Sequence, residues 1–410
     1  MRPNDYGKGY FCIKKEKIYY LLMVILFLII LEGGLRVINL VIPSEQPEHR
    51  IDIQNQLSVY SDKSWSEDYW REFYSLTRRF APYLTWRRNE YQGEYINIDS
   101  EGIRETWHTQ SNDRDAEKIF MFGGSTMWGT GARDNYTIPS FVSKKLHNAE
   151  YEYEIINYGE SGYSITQEVV QLSLLLKQGN IPSYVIFYDG VNDISSSYQN
   201  GKAGLFGSLD SIRNKIYPQS SSAVTVKRPF YIDAIQDAKK MMAKWSVTYR
   251  TLANIKANVF GKQSDKELEE IFTDKYSKEH IIALAEETVL DYKNNIAFVK
   301  ALSGVYGFEH IFIWQPNLFS TSPLTPEELS YKEWDKEYEQ MVDFYRMVYD
   351  LIEVEDIPNF YNLASIFNEK ESTVFIDWCH ITEEANEVIA DEIYSILLQV
   401  MNSNLKDLDL

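Results

Sequence analysis

The chain has 410 residues, with 41 Lys and Arg against 60 Asp and Glu, for a formal net charge of -19. Such a surface repels polyanions, which excludes nucleic acid as a partner. Two cysteines, Cys12 and Cys379, exclude a disulfide framework, and the absence of CxxC and HExxH motifs leaves nothing that points to a metal or cofactor.

The N-terminal region has a different character. The run IYYLLMVILFLIIL, Ile18 to Leu31, carries no charge and continues as EGGLRVINLVIP to Pro43. A spanning helix needs about 20 mostly apolar residues, which 18–42 supplies. Glu32 and Arg36 stand four apart, so on a helix they share a face and can pair. Arg2, Lys8, Lys14, Lys15 and Lys17 precede the run, which places that end in the cytoplasm. No small-residue cleavage site follows. The expectation is a cytoplasmic segment 1–17, an uncleaved transmembrane anchor 18–42 in the cell membrane, and an extracytoplasmic body.

Residues 43–114 are polar, aromatic and weakly periodic, and read as a stalk merging into an N-terminal extension. Within them YINIDSEGIRETW (Tyr95 to Trp107) predicts a short strand and a turn at Glu101-Gly102. From Glu117 the pattern turns regular. KIFMFGG is an apolar run ending in glycine, as in a buried strand. IPSFVSKKLHN has helical spacing, and YEIINYG predicts a second strand. SITQEVVQLSLLLKQG predicts a helix with Ser164 as N-cap and Gly179 as end signal. SYVIFYDG is a third strand and HIFIWQP another. TEEANEVIADEIYSILLQVM is a long final helix with Thr382 as N-cap. Strands alternating with helices mean βαβ units and a parallel sheet. The α/β domain is expected over 115–402, with a largely helical insertion at about 195–278 that reads as a lid or a surface for a protein partner.

Ligands on open parallel sheets bind outside the carboxyl ends of the strands. The loops there carry Gly123-Gly124-Ser125-Thr126, then Asn157-Tyr158-Gly159-Glu160-Ser161-Gly162, then Asp189-Gly190-Val191-Asn192-Asp193. A fourth loop, before the last helix, holds Asp377-Trp378-Cys379-His380. These residue types suit acyl transfer. A serine nucleophile needs a base, and the base an orienting carboxylate. Asp377 is spaced to fold back onto its own histidine. Gly162 can bring a backbone N–H close because it has no Cβ, and Asn192 offers an amide.

The blocks GGST, NYGESG, DGVND and DWCH resemble blocks I, II, III and V of the SGNH (GDSL) hydrolase superfamily, in order, from residue 117 onward. The resemblance implies a flavodoxin-like three-layer α/β/α sandwich with a parallel sheet. It implies Ser125 as nucleophile and His380 as general base and then acid, with Asp377 as its partner. It also implies an oxyanion hole of the Ser125 N–H, Gly162 and Asn192. Cofactors and metals play no part. The usual acid of block I is Gly124 here, a departure from the pattern. With the anchor, the chain resembles the membrane-anchored bacterial type, and the implied substrate is an ester or acylated glycan, such as an O-acetylated surface polysaccharide. The alternative from the same features is a non-catalytic glycan-binding or assembly module that keeps the fold.

Overall fold

Aromatic residues and buried arginines organise the first well-described stretch. Helix α1 (Ser66–Ser75) buries Tyr69 and Trp70. Strands β1 (Arg78–Ala81) and β2 (Thr85–Arg88) form an antiparallel hairpin that pairs Phe80 with Trp86. Strand β3 (Tyr91–Gln92) pairs with β4 (Asn97–Ile98). Tyr60, Tyr69, Trp70, Ile96 and Ile98 pack with Trp128 and Ile376 into a cluster of their own. The extension is thus packed onto the domain.

The central sheet follows. Strand β5 (Glu117–Gly123) leads into the short helix α2 (Ser125–Trp128) and then α3 (Ile138–Asn148). Strand β6 (Tyr153–Asn157), α4 (Ile165–Lys177), β7 (Tyr184–Asp189) and α5 (Val191–Asn200) continue the alternation. After α6 (Lys278–Tyr306) come β8 (Glu309–Trp314), α7 (Pro326–Tyr331), α8 (Glu339–Glu353), β9 (Phe360–Asn362) and α9 (Glu383–Leu408). The sheet order is β6-β5-β7-β8-β9, and every pair in it is parallel. Counted from β5, this is the 2-1-3-4-5 order of flavodoxin-like sheets.

Helices cover both faces, which is why the strands read as unbroken apolar runs. Phe120, Phe122, Val185, Phe187, Phe312 and Trp314 face the layer of α4, α5, α6 and α8. Their neighbours Ile119, Met121, Ile186, Tyr188, Ile311 and Ile313 face α3 and α9. Alternation of side chains across each strand builds the three layers. Ser164 stands at the N-cap of α4, where the Gln167 side chain reaches back to its N–H at 3.4 Å. Thr382 Oγ1 caps α9 by accepting from Ala385 N at 3.1 Å.

The computed structural model describes residues 57–107, 117–207, 276–331, 339–353 and 357–408, with single positions 19, 20, 23, 26, 27, 51, 54, 55 and 209. Nearly all lie in one unit, Pro47–Gln219 with Glu269–Leu410. Among the described residues no helix is long and apolar enough to cross a membrane. The expected span 18–42 falls mostly outside them, as do residues 210–275 of the expected insertion. Helix α5 runs through the position where the insertion was expected to begin.

Candidate active site

Sheet order reverses between β5 and β7, and that is where a crevice opens in such folds. Ser125 follows β5 and Asn192 follows β7, so both stand at this switch point. The turn between β5 and α2 is tight. A Cβ at Gly123 would lie 2.7 Å from the Tyr188 carbonyl oxygen, so only glycine fits. The chain reverses there and presents Ser125 as the first residue of α2. Its N–H is one of those that a helix start leaves without an intrahelical partner.

The loop between β9 and α9 brings the remaining groups. His380 Nε2 lies 2.7 Å from Ser125 Oγ, and His380 Nδ1 lies 2.6 Å from Asp377 Oδ2. The other carboxylate oxygen, Asp377 Oδ1, accepts from the backbone N–H of Cys379 and of His380, each at 2.8 Å. A carboxylate and its own histidine three residues on are therefore locked into one turn. Burial pulls the Asp377 carboxyl upward. The His380 imidazole, through charge and hydrogen bond, and the two backbone donors outweigh that and hold it below the usual carboxylate range. Asp377 is thus an anion at neutral pH, and the network assigns the Nδ1–H tautomer to a neutral His380, leaving Nε2 to accept from Ser125. The His380 side chain is 17% exposed, so a substrate can reach it.

The structure brings Ser125, His380 and Asp377 within hydrogen-bonding distance of one another in series. Gly162 adopts φ +83°, a conformation that favours glycine. Asn192 sits against the residue before Ser125: a Cβ at Gly124 would lie 2.0 Å from Asn192 Nδ2. The missing block I acid has a physical reason here, because the Asn192 amide occupies the space its side chain would need.

Several residues that support this site were not singled out by sequence. Arg104 is fully buried and donates to Asp134 Oδ1 (2.8 Å) and to the carbonyls of Trp128 (3.1 Å), Gly129 (2.7 Å) and Ala132 (2.6 Å). It holds the loop that leaves α2. The Trp128 ring is sandwiched between the Arg88 and Arg104 guanidiniums, at 3.9 and 4.2 Å. Arg88 also pairs with the buried Glu160 at 3.5 Å, and Asn157 Nδ2 donates to the Met127 carbonyl at 3.2 Å. Arg133 grips Glu383 through Nε and Nη2, at 2.9 and 2.7 Å, fixing the start of α9 beside the His380 loop. An arginine near a glycine turn was the only sequence signal for Arg104. Its carbonyl partners are invisible without the fold.

Cys379 is buried, and burial pushes its thiol well above the usual range, so it stays protonated. Among the described residues, Asp377, Cys379 and His380 bring metal-capable atoms within 4.8 Å of one another. Two of them are already bonded to each other and the third is a neutral thiol, so the set does not fit a metal site. A cavity of about 950 Å³ lies beside Arg87, Tyr158 and Gln171, and none of the five candidate residues lines it.

No protein-family model matches the sequence, and no curated protein matches it. Solved structures do. The chain is similar to the acetyl xylan esterase AlAXEase, at 12% identity over 68% of this chain and 98% of that one, with a TM-score of 0.30. It is also similar to the lipase Lip_vut3 from a goat rumen metagenome, at 10% identity over 68% and 97%, TM-score 0.34. A third is the family 3 carbohydrate esterase of Clostridium thermocellum, at 11% identity over 70% and 98%, TM-score 0.27. At such identities and TM-scores the functional reading rests on the site itself. By sheet order and layering, the fold is a flavodoxin-like three-layer α/β/α sandwich.

Proposed function

We propose that this chain is a serine esterase that works through an acyl-enzyme. The observation that carries the reading is the unbroken relay from Ser125 Oγ to His380 Nε2 and from Nδ1 to Asp377, at 2.7 and 2.6 Å. His380 Nε2 takes the Ser125 proton as Oγ attacks the ester carbonyl carbon. Negative charge gathers on the carbonyl oxygen and is met by the Ser125 N–H, the Gly162 N–H and the Asn192 amide. His380, now an imidazolium stabilised by Asp377, returns the proton to the departing alcohol. Water then repeats the sequence on the acyl-enzyme, or a sugar hydroxyl takes the acyl group. A module that only binds glycans has no use for a hydroxyl, an imidazole and a carboxylate in register.

The substrate we propose is a small acyl ester on a glycan, such as an O-acetyl group of a surface polysaccharide. We also propose that 18–42 anchors the enzyme with its catalytic domain outside the cytoplasmic membrane. The uncharged run supports this, and its described positions, Tyr19, Tyr20, Met23, Leu26 and Phe27, are helical with exposed apolar side chains. The test is acetate release from 4-nitrophenyl acetate and from acetylated xylan by the full-length chain in detergent. Ser125→Ala and His380→Ala should abolish it, and a Ser125→Ala protein of undiminished activity would refute the mechanism. Protease treatment of intact cells should cleave the 57–408 portion; full protection would refute the topology.

A further inference from the structure

The Ser161 carbonyl and the Gly162 N–H belong to one peptide group, so across a trans bond they point in opposite directions. Whatever fixes one aims the other. Gly162, at φ +83°, has no side chain to fix that plane sterically. The tie comes from outside the α/β domain. Trp86 on β2 donates its indole N–H to the Ser161 carbonyl at 3.1 Å. Its ring also lies over the glycine: Cζ2 is 3.4 Å from where a Gly162 Cβ would stand, and among the described residues no other heavy atom comes within 4 Å of that point apart from the adjoining residues.

Trp86 is itself held. The Tyr163 hydroxyl donates to the Trp86 carbonyl. The Tyr163 and Phe206 rings meet the indole edge-on at 5.5 and 6.3 Å. Arg88, two residues on and so on the same strand face, grips the same loop. Its Nη2 donates to Ser161 Oγ at 2.7 Å and its backbone N–H to Glu160 Oε2 at 3.1 Å. Glu160 Oε1 in turn accepts from Ser161 N at 3.0 Å. Ser161 is held at its N–H, its hydroxyl and its carbonyl, and among the described residues only the Trp86 bond acts on the peptide that carries the Gly162 N–H.

We infer that Trp86 is the positioning residue of the Gly162 oxyanion donor. Its indole N–H fixes the Ser161–Gly162 peptide plane and polarises it, which makes the Gly162 N–H a stronger donor at the opposite edge. This rests on the esterase reading of the site. It also gives the hairpin of the N-terminal extension a part in the chemistry: the extension completes the oxyanion hole.

The experiment uses the full-length chain and two replacements. Trp86→Phe keeps a ring and removes the N–H. Replacement of Trp86 by benzothienylalanine keeps the bicyclic shape and removes only the N–H. The readouts are kcat and KM for 4-nitrophenyl acetate, the rate of Ser125 labelling by a fluorophosphonate probe, and the melting midpoint. Loss of a whole oxyanion donor costs ~10²–10³ in kcat, so a misaimed one should cost about tenfold or more. Both replacements should lower kcat and the labelling rate in parallel, with KM and, for the isostere, the midpoint unchanged. Wild-type kcat in the isostere, or a loss confined to KM, overturns the inference. If Trp86→Phe does not fold, the isostere decides alone. A wild-type chain that is neither labelled nor active overturns the esterase reading and this inference with it, which separates the two failures.

Discussion

Gly124 is the position where adding a single methyl group should cost most of the activity. A Cβ there would stand 2.0 Å from Asn192 Nδ2, against a floor of 3.0 Å for real contacts, so the amide must retreat by at least 1.0 Å. That retreat is cheap for the fold, because the clash is with the far end of a flexible side chain. The Gly124 backbone, at φ -78° and ψ -150°, lies outside the left-handed region that favours glycine. Gly124→Ala should therefore cost the fold on the order of 1 kcal/mol. For catalysis the same 1 Å is large, since misplacement on that scale costs ~10²-fold. The expected loss in kcat is ~10²–10³, or about 2.7–4 kcal/mol, that of an oxyanion donor removed. The assay is 4-nitrophenyl acetate hydrolysis by Gly124→Ala, Asn192→Ala and the double variant, with melting midpoints alongside. The two losses should not add, because both remove one interaction. Wild-type kcat in Gly124→Ala, or losses that add in full, would refute the assignment of Asn192 to the oxyanion hole.

Three further outcomes follow from the same contacts. Arg104→Leu strips Asp134 and three carbonyls of a buried partner and should cost about 3–5 kcal/mol in chemical denaturation; a loss below about 1 kcal/mol would contradict the hub. Burial pushes Glu168 and Asp189 well above the usual carboxylate range, and Asp193, also through burial, up to about 7. The folded chain keeps protons there that the unfolded chain releases. Their stabilising contributions are complete below about pH 4 and decline as pH rises above it, that of Asp193 being lost through about 7. Glu168→Gln should therefore gain in melting midpoint over wild type as pH is raised from 5 to 8, and a pH-independent difference would contradict this. Cys379→Ala should retain turnover, and the native thiol should resist iodoacetamide, since the protonated Sγ faces His380 Nδ1 at 3.7 Å without a role in the relay. Loss of turnover on thiol alkylation would contradict that.

The parts of the fold legible in sequence are those whose physics is local. The strands that became β5 to β8 announced themselves as apolar runs ending in glycine or a polar turn, because both faces of the sheet are covered. Ser125, His380 and Asp377 were legible because a nucleophile, a base and its carboxylate are restricted residue types, and strand ends are where such folds place them. What stayed hidden depends on register and distance. Trp86 and Arg88 act through a hairpin whose position over the Glu160–Gly162 loop no periodicity encodes. Arg104 looked like one charge in a polar segment, yet it caps three carbonyls of the loop leaving α2. Strand β9 has only three residues, Phe360–Asn362, too few to show a period. Gly124 read as a departure from a motif, and its reason lies in the Asn192 amide opposite, reached only when β5 and β7 lie side by side.

The most direct test of the central claim is to treat the full-length chain with a fluorophosphonate probe and locate the adduct by mass spectrometry. The relay predicts one adduct, on Ser125, formed by the wild-type chain and lost in His380→Ala. No adduct on a folded chain, or an adduct that forms as readily without His380, would contradict an activated serine and with it the esterase.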